Sequence, residues 1–295
     1  MQPVIQIPKV NIPVIKAWGR IFDLLECVYD HPYDRKGFQE AVLVLYGKEK
    51  SSKSVFRGMA IPTLRNLGFI VGYGDVIQIS ADGALVYTSN KKNNEQGLRA
   101  LRTILVERDQ EIGVLSYLLE DTVFTLDEFL YKWMKNISIS DKRTLDKPQS
   151  QLRAARERLL DWINFLAFTE LIYNDHQNIK IDSKYLEDAK TDLNPYSREK
   201  SDRFKSILFS NYKKIVFKQG GIGTIEIEEL RKEMALSMSK ELNILLTEKQ
   251  FDVLLSEFPK MTEEYTITFG RSMGADEKLF VYQGKYYQTL LVRFL

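Results

Sequence analysis

Apolar positions along the chain recur at intervals of three and four over several stretches, and each run of them ends in a stop signal followed by alternation. VIKAWGRIFDLLECVYD puts Trp18, Ile21, Phe22, Leu25 and Val28 on one helical face. DRKGFQEAVLVLYG predicts a second helix, with Asp34 as its N-cap and Gly47 as its stop. A third runs roughly from Ser51 to Leu67 and ends at Gly68. A kink or break is expected within it at Pro62, which lacks a donor N–H and biases Ile61 away from the α region. FIVGYGDVIQIS then reads as strand, glycine-rich turn, strand.

The same order recurs. From about Glu95, LRALRTILVERDQEIGVLSYLLED gives one long or two abutting helices. TLDEFLYKWMKN gives another, with Thr125 and Glu128 as a capping-box pair. KPQSQLRAARERLLDWINFLAFTELIY carries Leu152, Leu159, Ile163 and Leu166 on a stripe, and ELIYNDHQNIKIDS predicts a hairpin around Asp175 to Asn178. A charged linker with Asn194-Pro195 follows. Beyond it, DRFKSILFSNYKKIVFKQGG reads as a helix stopped at Gly220-Gly221, and TIEIEELRKEMALSM and LTEKQFDVLLSEF as two more. YTITFGRSMGADEKLFVYQGKYYQTLLVRF is β-rich.

Three short helices cannot close a core, and a hairpin covers the apolar face they leave. The expected fold class is therefore mainly α with small β-hairpins (α+β), arranged as three tandem winged-helix units. An extended arm covers 1–13, and the units cover 14–93, 94–192 and 193–295.

A chain of 295 residues can build two or three domains. Its 42 Lys and Arg against 40 Asp and Glu leave a net charge of +2, so a nucleic-acid surface has to be a local patch. The lone cysteine, Cys27, cannot form an internal disulfide and reads as a buried small hydrophobe. His31 and His176 lack partners at metal-ligand spacing. No apolar run approaches the roughly 20 residues that span a bilayer, and the first residues lack a signal-peptide pattern. The expectation is a cytoplasmic protein with no membrane partner.

Basic residues cluster where a DNA-reading winged helix would use them. Its last helix enters the major groove with the N-terminal residues foremost, and the free N–H groups there suit phosphate. The first unit offers Lys50, Ser51, Ser52, Lys53, Ser54 and Arg57 at that place, with Val55 and Met59 facing inward. The second offers Lys142, Arg143, Lys147, Gln149, Ser150, Gln151, Arg153 and Arg156. Glutamine suits adenine edges, and arginine suits guanine or phosphate. The plainer alternative is a solvated helix face. In the third unit Glu248 and Glu257 would repel phosphate, so that helix reads as structural or protein-binding. Lys278, Lys285 and Arg271 read as exposed charges on its hairpins.

Particular stretches carry a family resemblance. TLRNLGFIVGYGDVIQISADGALVYTS, ERDQEIGVLSYLLEDTVFTLDEFL and EKLFVYQGKYYQTL resemble parts of the three tandem subdomains in the DNA-recognition region of FokI-type (type IIS) restriction endonucleases. The resemblance spans most of residues 14–295. It implies that the first two subdomains contact DNA while the third is largely a protein–protein element. The sequence ends at Leu295, where that family continues into a cleavage domain.

Catalytic groups are scarce. Asp175, Asp182 and Lys184 have the residue types of a metal-dependent nuclease, but they flank a hairpin with no central sheet. Glu226, Glu228, Glu229 and Glu233 read as the exposed face and first turn of a helix. GGIGT and VGYGD lack the Lys-Ser/Thr of a phosphate loop. No enzyme activity and no cofactor are expected. The sequence favours a sequence-specific double-stranded DNA-binding protein, the recognition component of a restriction or defence system acting with a separate nuclease. Its protein partner would bind through residues 193–295. The alternatives are a winged-helix protein–protein scaffold, motivated by Tyr282, Tyr286, Tyr287 and Phe294, and a transcription or replication regulator.

Overall fold

Helices form where the apolar spacing places them. The computed structural model describes residues 13–47, 53–72, 74, 76–113, 115, 125, 127–128, 131, 149–174, 178–194, 198–221, 223–271 and 278–295. A 3-10 turn (Trp18–Arg20) leads into α1 (Ile21–Asp30) and α2 (Arg35–Leu45). Asp34 Oδ1 accepts the Gly37 N–H at 2.9 Å and caps α2, and Gly47 turns away behind it at φ 57°. Cys27, expected to be buried, is half-buried on α1.

Pro62 does not break its helix. α3 (Lys53–Val55), a π-helical turn (Phe56–Ala60) and α4 (Ile61–Asn66) run on without interruption. In a regular helix the proline ring would crowd the Gly58 carbonyl and leave it without a donor. The wider π turn, where the Ile61 N–H reaches back to the Phe56 carbonyl, relieves that clash. Pro62 then falls in the first turn of α4, where a missing N–H is harmless.

Then follow β1 (Ile70–Val71), β2 (Gln78–Ile79), α5 (Ala81–Lys92), α6 (Asn94–Ile112), α7 (Gln149–Phe168), β3 (Ile172–Asn174), β4 (Ile179–Ile181) and α8 (Ser183–Asp192). The last third holds α9 (Arg198–Lys218), β5 (Thr224–Glu226), α10 (Ile227–Leu242), α11 (Glu248–Glu257), β6 (Tyr265–Arg271), β7 (Phe280–Tyr282) and β8 (Lys285–Phe294). The described protein is mainly helical with small antiparallel sheets, in the α+β class. It divides into two units whose segments interleave along the chain. One holds residues up to Leu24, Gln39–Leu67 and Leu101–Thr191; the other holds Leu25–Phe38, Gly68–Ala100 and Asp192–Leu295.

In the first unit Ile15, Ile21, Phe56 and Leu64 are buried, as are Leu159, Trp162, Ile163 and Phe165 of α7. The Trp18 ring lies 5.9 Å from Phe168 and 6.4 Å from Phe165. Three bonds fasten the segment ahead of α1. Trp162 Nε1 donates to the Pro13 carbonyl at 2.9 Å, Asn66 Nδ2 to that of Val14 at 2.9 Å, and the Ala17 N–H to Thr63 Oγ1 at 3.2 Å. Of the expected arm, residues 1–12 lie outside the described residues. Thr125 and Glu128 form the expected capping box, with bonds of 3.1 and 3.2 Å. β3 pairs with β4 in the register Ile172↔Ile181 and Asn174↔Ile179. Ile172 and Ile179 turn inward while Tyr173 and Lys180 face out, the period-two alternation the sequence carries. The turn of that hairpin, 175–177, lies outside the described residues. α8 has no counterpart among the elements read from periodicity.

The second unit is built on a four-stranded antiparallel sheet of order β5–β8–β6, with β7 also paired to β8. Thr224–Glu226 reads in the sequence as the start of a helix but forms a strand. Ile225, paired with Leu290, enters the core while Thr224 and Glu226 stay exposed. Helical spacing begins only at Ile227. Leu208, Ile215, Leu230, Met234, Phe251, Leu255 and Leu290 share one buried cluster. Gly220 and Gly221, at φ 75° and 89°, stop α9 by donating to the Phe217 and Val216 carbonyls.

α5 belongs to this unit, and its residues Ala81–Tyr87 are all buried. A Cβ on Gly83 would meet the Phe69 carbonyl oxygen at 2.4 Å, so only glycine fits there. Ser80 caps α5, accepting the Gly83 N–H at 3.1 Å while donating to the Gly68 carbonyl at 2.7 Å.

Candidate nucleic-acid interface

Both predicted reading helices lie in the first unit. In the α3–α4 run, Lys53 opens the helix, Ser54 and Arg57 are exposed, and Val55 is buried beside Phe56 and Ala60. Met59 is half-buried. Val55 thus lies inward and Ser54 and Arg57 outward, while Met59, expected to face inward, does so only in part. Lys50 and Ser52 lie outside the described residues, as do Ser51, Lys142, Arg143 and Lys147.

Gln149, Ser150 and Gln151 form the first helical turn of α7. Arg153 and Arg156 are exposed one and two turns in, and each has a carboxylate beside it. Arg153 Nε donates to Glu157 at 3.2 Å along the helix, and Arg156 donates to Asp127 at 3.3 Å. The local field on α7 is accordingly mixed in sign, although its cations remain open to solvent. Such exposed pairs contribute about 0–1 kcal/mol, so a phosphate can compete for either arginine.

The last third of the chain behaves differently from its sequence reading. Lys278 is no free wing charge. Its ammonium donates to Glu248 Oε1 at 2.6 Å and to the Gly68 carbonyl at 2.8 Å. Glu248 does not face solvent either: its N–H donates to Asp82 Oδ1 at 2.9 Å, and its carboxylate accepts the Asp82 N–H at 3.1 Å. The first turns of α5 and α11 thus cap one another. Burial pushes the Glu248 carboxyl up, but Lys278 and Arg231 together outweigh it and hold the group below the ordinary carboxylate range.

Glu228, expected on an exposed face, lies within the same polar cluster. Arg231, itself buried, donates to it at 3.0 Å and grips Asp252 with two bonds of 2.8 and 2.7 Å. Burial pushes Glu228 up, and the nearby Glu248 adds to the effect. Asp252 is also raised, burial exceeding the pull of Arg231. The guanidinium is driven up in turn, because Asp252 and Glu228 more than offset its burial. These directions oppose each other across one pair. The two short parallel bonds decide it and keep Arg231 and Asp252 ionised. No sequence signal marks this cluster except that Arg231 falls between Leu230 and Met234 on an apolar face.

Of the nuclease candidates, Asp182 caps α8, its Oδ1 accepting the Lys184 N–H at 3.0 Å and that of Tyr185 at 3.1 Å. Asp175 lies outside the described residues. Among the described residues, no group of three His, Cys, Asp or Glu is placed to hold a metal ion. Nor is any helix among them long and apolar enough to cross a membrane. Comparisons with protein-family models, with curated proteins and with solved structures give no match to this chain.

Proposed function

We propose that the chain is a sequence-reading protein of double-stranded DNA, using winged-helix elements whose third helices are the α3–α4 run and α7. One observation carries this reading: both helices belong to one compact unit and expose arginine within their first two turns, Arg57 on one and Arg153 and Arg156 on the other. Exposed arginines beside free helix-end N–H groups suit a phosphate backbone, and the small Ser54 permits close approach. Lys50, Ser52, Lys53, Lys147, Gln149, Ser150 and Gln151 complete the proposed surface. Recognition on behalf of a separate nuclease, in a restriction or defence system, is the role this reading favours, as in the FokI-type family the sequence resembles. The cell compartment proposed is the cytoplasm.

Selection from a random-sequence duplex library, followed by mobility shifts at two salt concentrations, tests it. Binding should retain a discrete sequence and fall steeply with salt as counterions are released. Replacing Arg57, Arg153 and Arg156 by Ala together should abolish the retained complex. An unselected library, or undiminished binding by that variant, sinks the reading.

A second reading, a protein–protein scaffold, is favoured by one surface. Phe217 on α9 is 86% exposed and Phe294 on β8 is 44% exposed. With Val216 and Val292 they line an apolar groove of about 620 Å³. A protein that co-purifies stoichiometrically, and is lost on Phe217→Asp while DNA binding persists, would mark that groove as the partner site.

A further inference from the structure

A second cavity, of about 210 Å³, lies within the second unit between β1–β2, the start of α10 and β8. Val71, Ile227 and Tyr287 give it an apolar lining, and Gln78, Gln288 and Glu228 bring polar groups to its wall. A few polar side chains converging on an apolar cavity is the usual composition of a small-molecule site.

The polar groups are incompletely satisfied. Glu228 Oε2 accepts from Arg231, whereas Oε1 is buried and has no hydrogen-bond partner. Buried carboxylate oxygens rarely stay unpaired, because desolvation without a donor costs about 1–3 kcal/mol. The charge balance points the same way. Three carboxylates, Glu228, Glu248 and Asp252, share two cations, Arg231 and Lys278. Arg231 is committed in bidentate fashion to Asp252, and Lys278 to Glu248. A fourth carboxylate, Asp82, is answered by the N–H of Glu248. By direct contact Glu228 is therefore left with a share of one guanidinium, and its second oxygen lacks a donor.

We propose that this cavity binds a small organic cation, a primary amine on a short apolar or aromatic body, with Glu228 as its counter-ion. The ammonium pairs with the cavity-facing part of the Glu228 side chain, which is 21% exposed, and Tyr287 with Ile227 and Val71 packs the body. An aromatic wall beside an ammonium adds attraction from the ring face. Gln78 and Gln288 supply further acceptors at the rim. The proposal is independent of the DNA reading, since none of these residues lies on the α3–α4 run or α7.

Thermal unfolding of the full chain in the presence of phenethylamine or agmatine tests it, at ionic strength matched with sodium chloride. 2-Phenylethanol serves as the neutral isostere of the first amine. A ligand bound only by the native state raises Tm by roughly 3 °C at about ten times its Kd. At least one amine should do so, the alcohol should not, and Glu228→Gln should remain folded but lose the response. Gln288→Leu, which keeps the charge, should weaken the response without removing it. No shift with either amine, an equal shift with the alcohol, or an undiminished response in Glu228→Gln overturns the assignment.

Discussion

Arg153 and Arg231 are both helical arginines paired with carboxylates, and they illustrate two uses of the same chemistry. The Arg153 side chain is 83% exposed and meets Glu157 by a single bond. That of Arg231 is 3% exposed and is held by Asp252, Glu228 and the Lys278 carbonyl. Water already solvates the first, so its pairing contributes little and its charge stays available to a ligand. The second has left water, so each of its partners is needed to compensate for its desolvation. Burial, more than residue type, separates a charge that can recognise from one that holds a fold.

The comparison breaks most directly at Arg231. Arg231→Met leaves Asp252 and Glu228 buried without their cation, and a loss of about 3–5 kcal/mol in urea unfolding is expected. Replacing Arg231, Asp252 and Glu228 together by apolar residues should recover most of it, since no charge is then stranded. A single-variant loss under about 1 kcal/mol would mean that the cluster relaxes into water.

Glu228 tests the same cluster in the opposite direction. Its carboxyl is raised, so the folded state holds that proton more tightly than the unfolded one. The associated stability is present below the unfolded value and is lost as pH rises through the raised folded value. Glu228→Gln should therefore gain about 1 kcal/mol near neutral pH and flatten this part of the stability profile. Equal stability at every pH would contradict the assignment.

Glu233 stands between the two extremes. Burial pushes it up, yet the Lys214 and Lys218 ammonium groups together bring its carboxyl below the ordinary range. Here the sign reverses: the contribution is present above the unfolded value and disappears as pH falls through the lowered folded one. Glu233→Gln should cost about 0.5–1 kcal/mol at neutral pH and nothing in acid, as measured by urea midpoints at both.

Much of this is legible in the sequence, for identifiable reasons. Asp34, Gly47 and the Thr125/Glu128 box announce helix ends through local chemistry that needs no tertiary partner. The β3–β4 hairpin shows because one of its faces is wet. α5 is hidden from periodicity because Ala81–Tyr87 are buried all round, leaving no polar face there to set a period. Thr224–Glu226 misleads because three alternating residues before a helix fit either period, and only pairing with β8 decides them. Glu228 and Lys278 look like surface charges because a buried ion cluster assembles residues far apart in the chain. The exposed candidates Ser54, Arg57, Arg153 and Arg156 need only helical phase, and phase is what periodicity measures.

The smallest stability effects belong to those exposed residues, on which the proposed function rests. Arg57→Ala, Arg153→Ala and Arg156→Ala should each leave thermal stability within about 0.5 kcal/mol of the parent chain. Losing Glu157 or Asp127 as partner costs Arg153 or Arg156 little, because water replaces the carboxylate at once. In a complex with DNA the same substitutions should separate. An arginine on phosphate weakens binding evenly across sequences and lowers the salt slope by about 1. One that reads guanine costs about 1–3 kcal/mol and relaxes preference at a single position. Arg57, in the π-helical turn with Ser54 and Gly58 nearby in the chain, is expected to read a base, and Arg156, already shared with Asp127, to hold phosphate. Salt-dependent anisotropy on duplexes varied one position at a time distinguishes the two. A variant that loses stability and binding in proportion would instead place its arginine among the structural charges, beside Arg231.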